Sequence, residues 1–180
     1  IVRYADDFVC CFQYQQEANK FYLALQNRLK KFGLEISKDK TRIIEFGRFA
    51  QENRKRRGLG KPETFTFLGF THYCSLSRKG KFRVKRKTNA VKFRAKVAAI
   101  KQWLWKNMHT PTKELIKKLN IKLQGHYRYY GITDNFKSIE TFCYLVRRQL
   151  FKTLKRRSQK SGLTRGLSTR PSFKEDFLFN

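Results

Sequence analysis

The sequence has few acidic residues. Only 13 of its 180 residues are Asp or Glu, against 42 Lys and Arg, and the formal net charge is +29. A chain with this charge repels itself unless a polyanion offsets it, so we expect a polyanionic partner. RNA or DNA is the first choice, and an anionic membrane surface is the second. A solvated basic surface without a partner is the alternative.

Patterns that bind zinc or cross a membrane are also missing. The four cysteines, Cys10, Cys11, Cys74 and Cys143, have no CxxC spacing, and none of the three histidines forms a ligand pair with them. We therefore predict reduced, structural thiols in an intracellular protein, with the bacterial cytoplasm as first expectation and an organelle as second. No run of about 18 apolar residues exists, so we expect no transmembrane helix. No long amphipathic anchor stands out either, so the membrane surface is the weaker choice and we expect no membrane partner.

Apolar residues are abundant enough for a folded core. Forty per cent of the chain is hydrophobic, including 17 Phe and 8 Tyr, which excludes global disorder. The length suits one large domain or two small ones. The first residue is Ile and the chain opens in a strand-like stretch, so we expect a piece of a longer protein without its N-terminal part.

The first half of the chain reads as mixed strand and helix. Apolar and aromatic runs predict a strand–turn–strand over 1–12, with the turn on Ala5, Asp6 and Asp7. Helical spacing predicts a helix over 15–32 that Gly33 ends. Further expectations are strands at 34–37, 41–46 and 64–74, a basic loop at 47–63, and a hairpin that turns at RKGK, residues 78–81.

From about residue 88 the apolar spacing becomes helical. Three helices are predicted, with Thr88, Thr110-Pro111, and Asp134 or Asn135 at their starts. Their apolar faces contain Val91, Val97, Ala98, Ile100 and Leu104 in the first, Leu115, Leu119, Leu123 and Tyr127 in the second, and Ile139, Phe142, Val146, Leu150 and Leu154 in the third. The predicted fold class is α+β, with an α+β part at 1–87, a helical part at 88–157 and a basic tail at 158–180.

Two adjacent carboxylates, Asp6 and Asp7, lie between apolar strands at the start of this basic chain. Adjacent negative charges repel, and burial raises their cost. A divalent cation relieves both problems, and Mg²⁺ commonly uses one or two carboxylates plus substrate phosphates. The pair therefore indicates a metal site for nucleotidyl transfer. An exposed hairpin turn that happens to carry two aspartates is the alternative.

The surroundings of this pair carry a resemblance to a known family. YADD between hydrophobic strands resembles the catalytic hairpin of reverse transcriptases, and GLEISKDKTRIIEF and FTFLGF are similar to the next two blocks of that family. The stretch from ELIKKLN to RRSQKSG, residues 114–162, is similar to the maturase (X) region of group II intron-encoded proteins. The blocks occur in the family's order, so the chain resembles a group II intron reverse transcriptase/maturase.

The resemblance implies roles for individual residues. Asp6 and Asp7 would be the catalytic metal-binding pair, and Lys40 would lie near the phosphates of the incoming nucleotide. The primer grip would be formed by Phe67, Leu68, Gly69 and Phe70. The implied fold is the end of a polymerase palm followed by a helical thumb/maturase bundle. The implied partners are an RNA template, a DNA primer, dNTPs, intron RNA and the N-terminal fingers and palm. The family's other metal-binding Asp precedes these residues, so we expect this polypeptide alone to be inactive.

Basic and aromatic runs supply candidate RNA contacts. Aromatic rings stack on unpaired bases and cations bind phosphates. The candidates are Arg54, Lys55, Arg56 and Arg57 in the basic loop, His126, Arg128 and Tyr129 in GHYRYYG, and Arg147, Arg148, Arg156 and Arg157 in the last helix. Each run also has a purely structural alternative, a solvated face or a helix end whose tyrosines face the core.

Two other functions compete with the first. A splicing factor could bind RNA without polymerase activity, although an intact YADD argues against it. A reverse transcriptase of another retroelement or of a defence system would resemble the palm but usually lack the helices around GHYRYYG. The sequence therefore favours an RNA-directed DNA polymerase and maturase that assists splicing and mobility of its intron.

Overall fold

A computed structural model of the chain describes residues 1–157. Its strands are β1 (Val2–Tyr4), β2 (Asp7–Val9), β3 (Phe65–Phe67), β4 (Phe70–Leu76) and β5 (Phe82–Thr88). Its helices are α1 (Gln15–Lys30), α2 (Ala50–Arg56), α3 (Ala90–Lys106), α4 (Thr112–Tyr130) and α5 (Phe136–Arg157), with a short 3₁₀ helix at Thr133–Asn135. The predicted α+β class is confirmed. None of the described helices combines the length and apolar character that a membrane crossing requires.

Internal contacts divide the chain into two units. Unit 1 comprises Ile1–Leu68 and His72–Lys85, and unit 2 comprises Gly69–Thr71 and the described residues from Arg86 onward. The division after Lys85 lies close to the predicted boundary at 87/88, and the domain assignment itself stays a prediction. The predicted tail at 158–180 lies outside the described residues.

Unit 1 has little buried apolar surface. Among its described residues, Ala50 at the start of α2 is the only apolar side chain that is fully buried. Half-buried aromatic contacts do much of the packing, with Phe65 against Phe46 at 5.1 Å and stacked on His72 at 4.7 Å between ring centroids. A Schellman motif ends α1, since Gly33 N–H donates to Lys30 O and Leu34 N–H to Leu29 O.

Unit 2 has a helical core. Nine apolar side chains of α3, α4 and α5 are fully buried, and α5 packs against both other helices. Their positions repeat every three or four residues: Ile100 and Leu104 in α3, Leu115, Leu119 and Leu123 in α4, and Ile139, Phe142, Val146 and Leu150 in α5. The faces predicted for α4 and α5 are confirmed. On α3 only Ile100 and Leu104 are buried, and Val91 is 65% exposed.

A buried asparagine joins three segments of unit 2. Asn135, 1% exposed, donates to Thr88 Oγ1 at 2.7 Å and to Tyr130 O at 2.9 Å, and accepts from Thr88 N–H at 2.7 Å. These bonds tie the end of β5 to the end of α4 and the start of α5. Thr88 was the predicted N-cap of α3, but Asn89 has that role, with Oδ1 accepting from Val91 N–H and Lys92 N–H.

Four local predictions in the first half were wrong. Residues 34–37 and 41–46 are irregular rather than strands. The basic segment at 47–63 contains helix α2 rather than only loop. The expected strand over 64–74 is two strands, because Leu68 and Gly69 both have positive φ, 49° and 75°, and form a two-residue turn between β3 and β4.

Candidate catalytic hairpin and nucleic-acid interface

The aspartate pair lies at the tip of a short antiparallel hairpin. Strands β1 and β2 pair with Val2 opposite Val9 and Tyr4 opposite Asp7, so Asp6 occupies the turn and Asp7 begins the return strand. The left-handed backbone of the turn falls on Ala5, with φ 50°. Arg3 Nε donates to Ala5 O at 2.8 Å, which closes the turn.

Both carboxylates of the hairpin are exposed. In residues 1–157 no cluster of three or more His, Cys, Asp and Glu side chains forms a metal cage. The donor set is therefore two adjacent carboxylates that project into solvent. Such a set suits a hard divalent cation that takes its remaining ligands from substrate phosphates and water.

Lys40 occupies an exposed turn. The backbone N–H groups of Lys40 and Thr41 donate to Ser37 O at 3.2 and 3.0 Å. Within the described residues Lys40 forms no ion pair with Asp6 or Asp7, so the contact geometry does not join these three predicted residues into one cluster.

The four residues predicted as primer grip form the β3–β4 turn. All four side-chain positions are half-buried. Gly69 O accepts from Asn89 N–H at 2.9 Å, and a Cβ at Gly69 would lie 2.7 Å from the Tyr130 hydroxyl. The Phe70 ring stacks on Tyr129 at 5.9 Å and contacts Tyr130 at 5.1 Å. Gly69 is therefore required by both backbone conformation and close packing.

The GHYRYYG run forms the last turns of α4, and its side chains divide between core and surface. His126 is 5% exposed and stacks on Phe142 with 3.9 Å between ring centroids. Arg128 and Tyr129 are exposed. His126 therefore differs from the other two predicted RNA contacts, because its ring is inside the helical bundle. The three residues were grouped by composition, whereas the helical period brings every third or fourth side chain to the core.

Burial changes the acid–base behaviour of two side chains in this run. Desolvation, with a smaller contribution from the charge on Lys96, lowers the pKa of His126 to about 4, so the ring is neutral at pH 7. Desolvation and a hydrogen bond with Cys143 raise the pKa of Tyr127. Tyr127 packs against the helical core, as predicted.

The predicted basic cluster at 54–57 lies on α2 and just after it, where acidic side chains pair with all three of its arginines. Arg54 lies 3.7 Å from Glu63, Arg56 bonds Glu52 at 2.5 Å, and Arg57 pairs with Glu45. Lys55 is exposed. These ion pairs lower the net positive charge that the run presents to a phosphate backbone.

The arginine side chains of α5 differ in their exposure and in the contacts that they already make within the protein. Arg148 is exposed, whereas Arg147 is half-buried. The Arg156 guanidinium lies 5.2 Å from the centre of the Trp105 ring. Arg157 donates to Thr110 O at 2.5 Å and to Thr112 Oγ1 at 3.3 Å, at the start of α4. Arg157 therefore also has a structural role.

One arrangement of side chains was not predicted from the sequence. A groove of about 430 Å³ lies between α3 and α4 and is lined by Lys92, Ala95, Lys96, Ala99, Gly125, His126, Tyr129 and Tyr130. Exposed small residues are a weak sequence signal. The i, i+4 spacing of Ala95 and Ala99, with lysines beside them, is the pattern that could have indicated the groove.

Comparison with known proteins identifies both parts of the chain. Residues 1–72 match the family model for reverse transcriptase (RNA-dependent DNA polymerase). Residues 92–170 match the family model for the maturase-specific domain of group II introns. Searches of curated proteins and of solved structures gave no match. Reverse transcriptases are nucleotidyltransferases that generally use divalent metal ions, and the two domains imply nucleic-acid partners. The chain belongs to the group II intron-encoded reverse transcriptase/maturases.

Proposed function

We propose that Asp6 and Asp7 hold Mg²⁺ while a DNA primer is extended from dNTPs on an RNA template. The observation that carries this assignment is the exposed carboxylate pair at the tip of the β1–β2 hairpin, inside the region that matches reverse transcriptase. Mg²⁺ binds hard oxygen ligands and keeps sites for substrate phosphates, which an exposed pair leaves open.

The hairpin residues would position the reacting groups. In nucleotidyl transfer the primer 3′-hydroxyl loses its proton to solvent and attacks the α-phosphorus, and pyrophosphate leaves. Mg²⁺ held by Asp6 and Asp7 would neutralise charge on the reacting oxygens. Asp6 and Asp7 supply the carboxylate ligands. Lys40, exposed on its turn, would bring a cation to the triphosphate. Phe67, Leu68, Gly69 and Phe70 would hold the primer strand through the β3–β4 turn.

The helical unit would bind intron RNA and assist splicing. Support comes from its match to the maturase-specific domain and from exposed cations on the outer faces of α4 and α5, among them Arg128, Arg148, Lys152 and Lys155. Lysine and arginine contacts to phosphates give affinity without sequence specificity, so recognition of a particular intron would depend on RNA shape and unpaired bases.

Unit 1 would be completed by the fingers and the rest of a polymerase palm. Several of its large apolar side chains are strongly exposed, including Tyr4 at 64%, Phe32 at 65% and Phe49 at 63%. Exposed apolar surface of this kind marks an interface. An intracellular location is also part of the proposal, and the four free thiols support it.

The assignment of Asp6 is tested by primer extension with the protein expressed from its complete gene. Asp6→Ala should lower extension on an RNA template by orders of magnitude, because the charge developing on the phosphates loses its bound ion. Asp39→Ala is the matched control, since Asp39 is an exposed aspartate in a turn beside Lys40. Near-normal extension by Asp6→Ala would show that the metal assignment is wrong.

A further inference from the structure

Gly125 has no structural reason to be glycine. It lies inside helix α4, has no left-handed φ, and a Cβ added there would meet nothing within 4 Å. Glycine is among the least favourable residues in a helix interior, and alanine is the most favourable. Neither packing nor backbone conformation explains this residue, so open space above the helix is the property that the position provides.

The space above Gly125 is the groove between α3 and α4. Ala95 and Ala99 form its opposite wall, one helical turn apart and exposed. Small residues on both walls let another molecule approach the helix backbones closely. The groove has a volume of about 430 Å³ and is open to solvent.

A buried polar atom in the groove wall lacks a partner. His126 lines the groove and is 5% exposed, and its Nε2 has no hydrogen-bond partner among the described residues. Buried polar atoms are nearly always hydrogen-bonded, because leaving one unpaired costs free energy. The neutral imidazole offers one donor and one acceptor nitrogen. Nε2 itself has almost no accessible surface, so this unpaired atom is a polar position just behind the groove wall.

The rim of the groove suits a nucleotide. Lys92 and Lys96 are exposed cations on α3, one helical turn apart, and both line the groove. Tyr129, 52% exposed on α4, presents an aromatic ring at the same rim. Cations that bind phosphate beside a ring that stacks on a base are the usual elements of recognition of unpaired nucleotides.

We propose that the α3–α4 groove binds one unpaired nucleotide of RNA, with its phosphate at Lys92 and Lys96 and its base between Tyr129 and the Gly125–Ala99 walls. This inference rests on the proposed function, because it assumes that the helical unit binds RNA. It adds a defined subsite that reads single-stranded character, which a basic surface alone does not.

The groove is tested by filling it in the full-length protein. The probes are a short oligo(A) RNA and a blunt RNA duplex of equal length, titrated at near-physiological salt. Gly125→Gln should raise the Tm, because a helix former replaces glycine. It should also weaken oligo(A) binding by about tenfold, the effect of losing one stacked base, and leave duplex binding unchanged. A variant that is more stable but binds oligo(A) more weakly cannot owe the weaker binding to misfolding.

A matched pair of alanines provides the control. Ala98 and Ala99 are both exposed on α3, but only Ala99 lines the groove. Ala99→Gln should weaken oligo(A) binding as Gly125→Gln does, whereas Ala98→Gln should not. A double variant with Lys92→Gln and Lys96→Gln should weaken oligo(A) binding more than one with Lys101→Gln and Lys106→Gln. Both double variants remove two positive charges, so the comparison isolates the position of the lysines.

The outcomes distinguish a failure of the α3–α4 subsite from a failure of RNA binding by the protein as a whole. If the wild-type protein binds neither RNA, the proposed RNA-binding function fails. If it binds both and Gly125→Gln and Ala99→Gln leave oligo(A) affinity unchanged, the subsite is wrong and the RNA-binding function stands. An equal loss for duplex and oligo(A) would also overturn the subsite, since it would indicate backbone contact without an unpaired base.

Discussion

At the scale of single residues, the side chain of Asn135 should make a large contribution to the stability of the folded protein. Its side chain makes three hydrogen bonds in a buried site. Asn135→Ala leaves Thr88 N–H and the Tyr130 carbonyl without these partners, so we expect a loss of about 3 kcal/mol in the free energy of unfolding. Asn107→Ala is the control, because Asn107 makes one local bond, to Trp103 O at 2.8 Å, and should cost about 1 kcal/mol. Urea unfolding measures both, and equal losses would contradict the assigned role of Asn135.

His126 gives the helical unit a predictable response to acid. Its pKa falls from an ordinary 6.5 to about 4 on folding, so the unfolded chain binds a proton that the folded chain rejects. Stability from this group is fully present above about pH 6.5 and is lost as pH falls toward 4, up to roughly 3 kcal/mol. His126→Phe keeps a ring against Phe142 but cannot titrate, so its unfolding free energy should fall less between pH 7 and 4.5.

Exposed His109 provides the comparison for that measurement. His109→Gln, unfolded under the same conditions, is the control for replacing a histidine outside the helical core. If His126→Phe shows the wild-type pH dependence, the buried imidazole does not carry the acid sensitivity.

At the scale of secondary-structure elements, the turn between β3 and β4 depends on a contact as well as on φ. Gly69 and Gly80 both have positive φ, 75° and 72°, but only Gly69 has a neighbour, Tyr130, within 4 Å. Alanine at Gly80 should cost about 1 kcal/mol for the backbone alone. Alanine at Gly69 should cost at least about 1 kcal/mol more, because rings pack around Tyr130 and limit its movement.

A double variant isolates the clash. Tyr130→Phe removes the hydroxyl that lies 2.7 Å from the added Cβ, so Gly69→Ala in that background should cost only as much as Gly80→Ala. Thermal or urea unfolding of the wild type, the two single variants and the double variant gives the coupling energy between positions 69 and 130. A coupling of zero would mean that φ alone determines the requirement for Gly69.

The helices of the second unit were predictable because their faces are amphipathic over many turns. Leu115, Leu119 and Leu123 repeat with the helical period, and burial follows it. The exact residue that caps a helix was less predictable. Asn89 rather than Thr88 caps α3, because Thr88 is engaged by Asn135, 47 residues away, and no local pattern shows that partner.

Short elements in the first unit were less predictable. A run such as 34–37 has strand-like residues, but a strand forms only where another strand pairs with it. The segment FLGF has the composition of a strand interior, and its left-handed backbone at Leu68 overrides that composition.

At the candidate site, the sequence indicated Asp6 and Asp7 through their chemistry. The α3–α4 groove was missed, because Gly125, Ala95 and Ala99 become informative only when two helices face each other.

At the scale of the whole molecule, positive charge extends along the chain but is not equally available to RNA. Acidic partners engage Arg54, Arg56 and Arg57, and Arg157 bonds the start of α4. Arg148, Lys152 and Lys155 are exposed on α5 and share one face at i, i+4 and i+7 spacing. This face is a better candidate for phosphate contacts than the paired arginines Arg54, Arg56, Arg57 and Arg157.

Polymerisation and RNA binding should therefore separate by mutation. Asp6→Ala with Asp7→Ala removes metal ligands and two negative charges, so primer extension should stop while intron binding and protein-assisted splicing stay near normal. Replacing Arg148, Lys152 and Lys155 with Gln should weaken intron binding and splicing together. Each lost phosphate contact should also reduce the slope of log affinity against log salt by about one unit.

The decisive measurement is a splicing time course at near-physiological magnesium, together with salt-dependent RNA binding, on variants whose unfolding matches that of the wild type. The α5 variant should lose splicing in proportion to lost affinity, because the protein helps by holding folded RNA and contributes no chemical step to splicing. If the double aspartate variant stops splicing as fully as the α5 variant, the hairpin carboxylates also serve RNA folding. The assignment of catalysis to the β1–β2 hairpin and of intron binding to the helices would then fail.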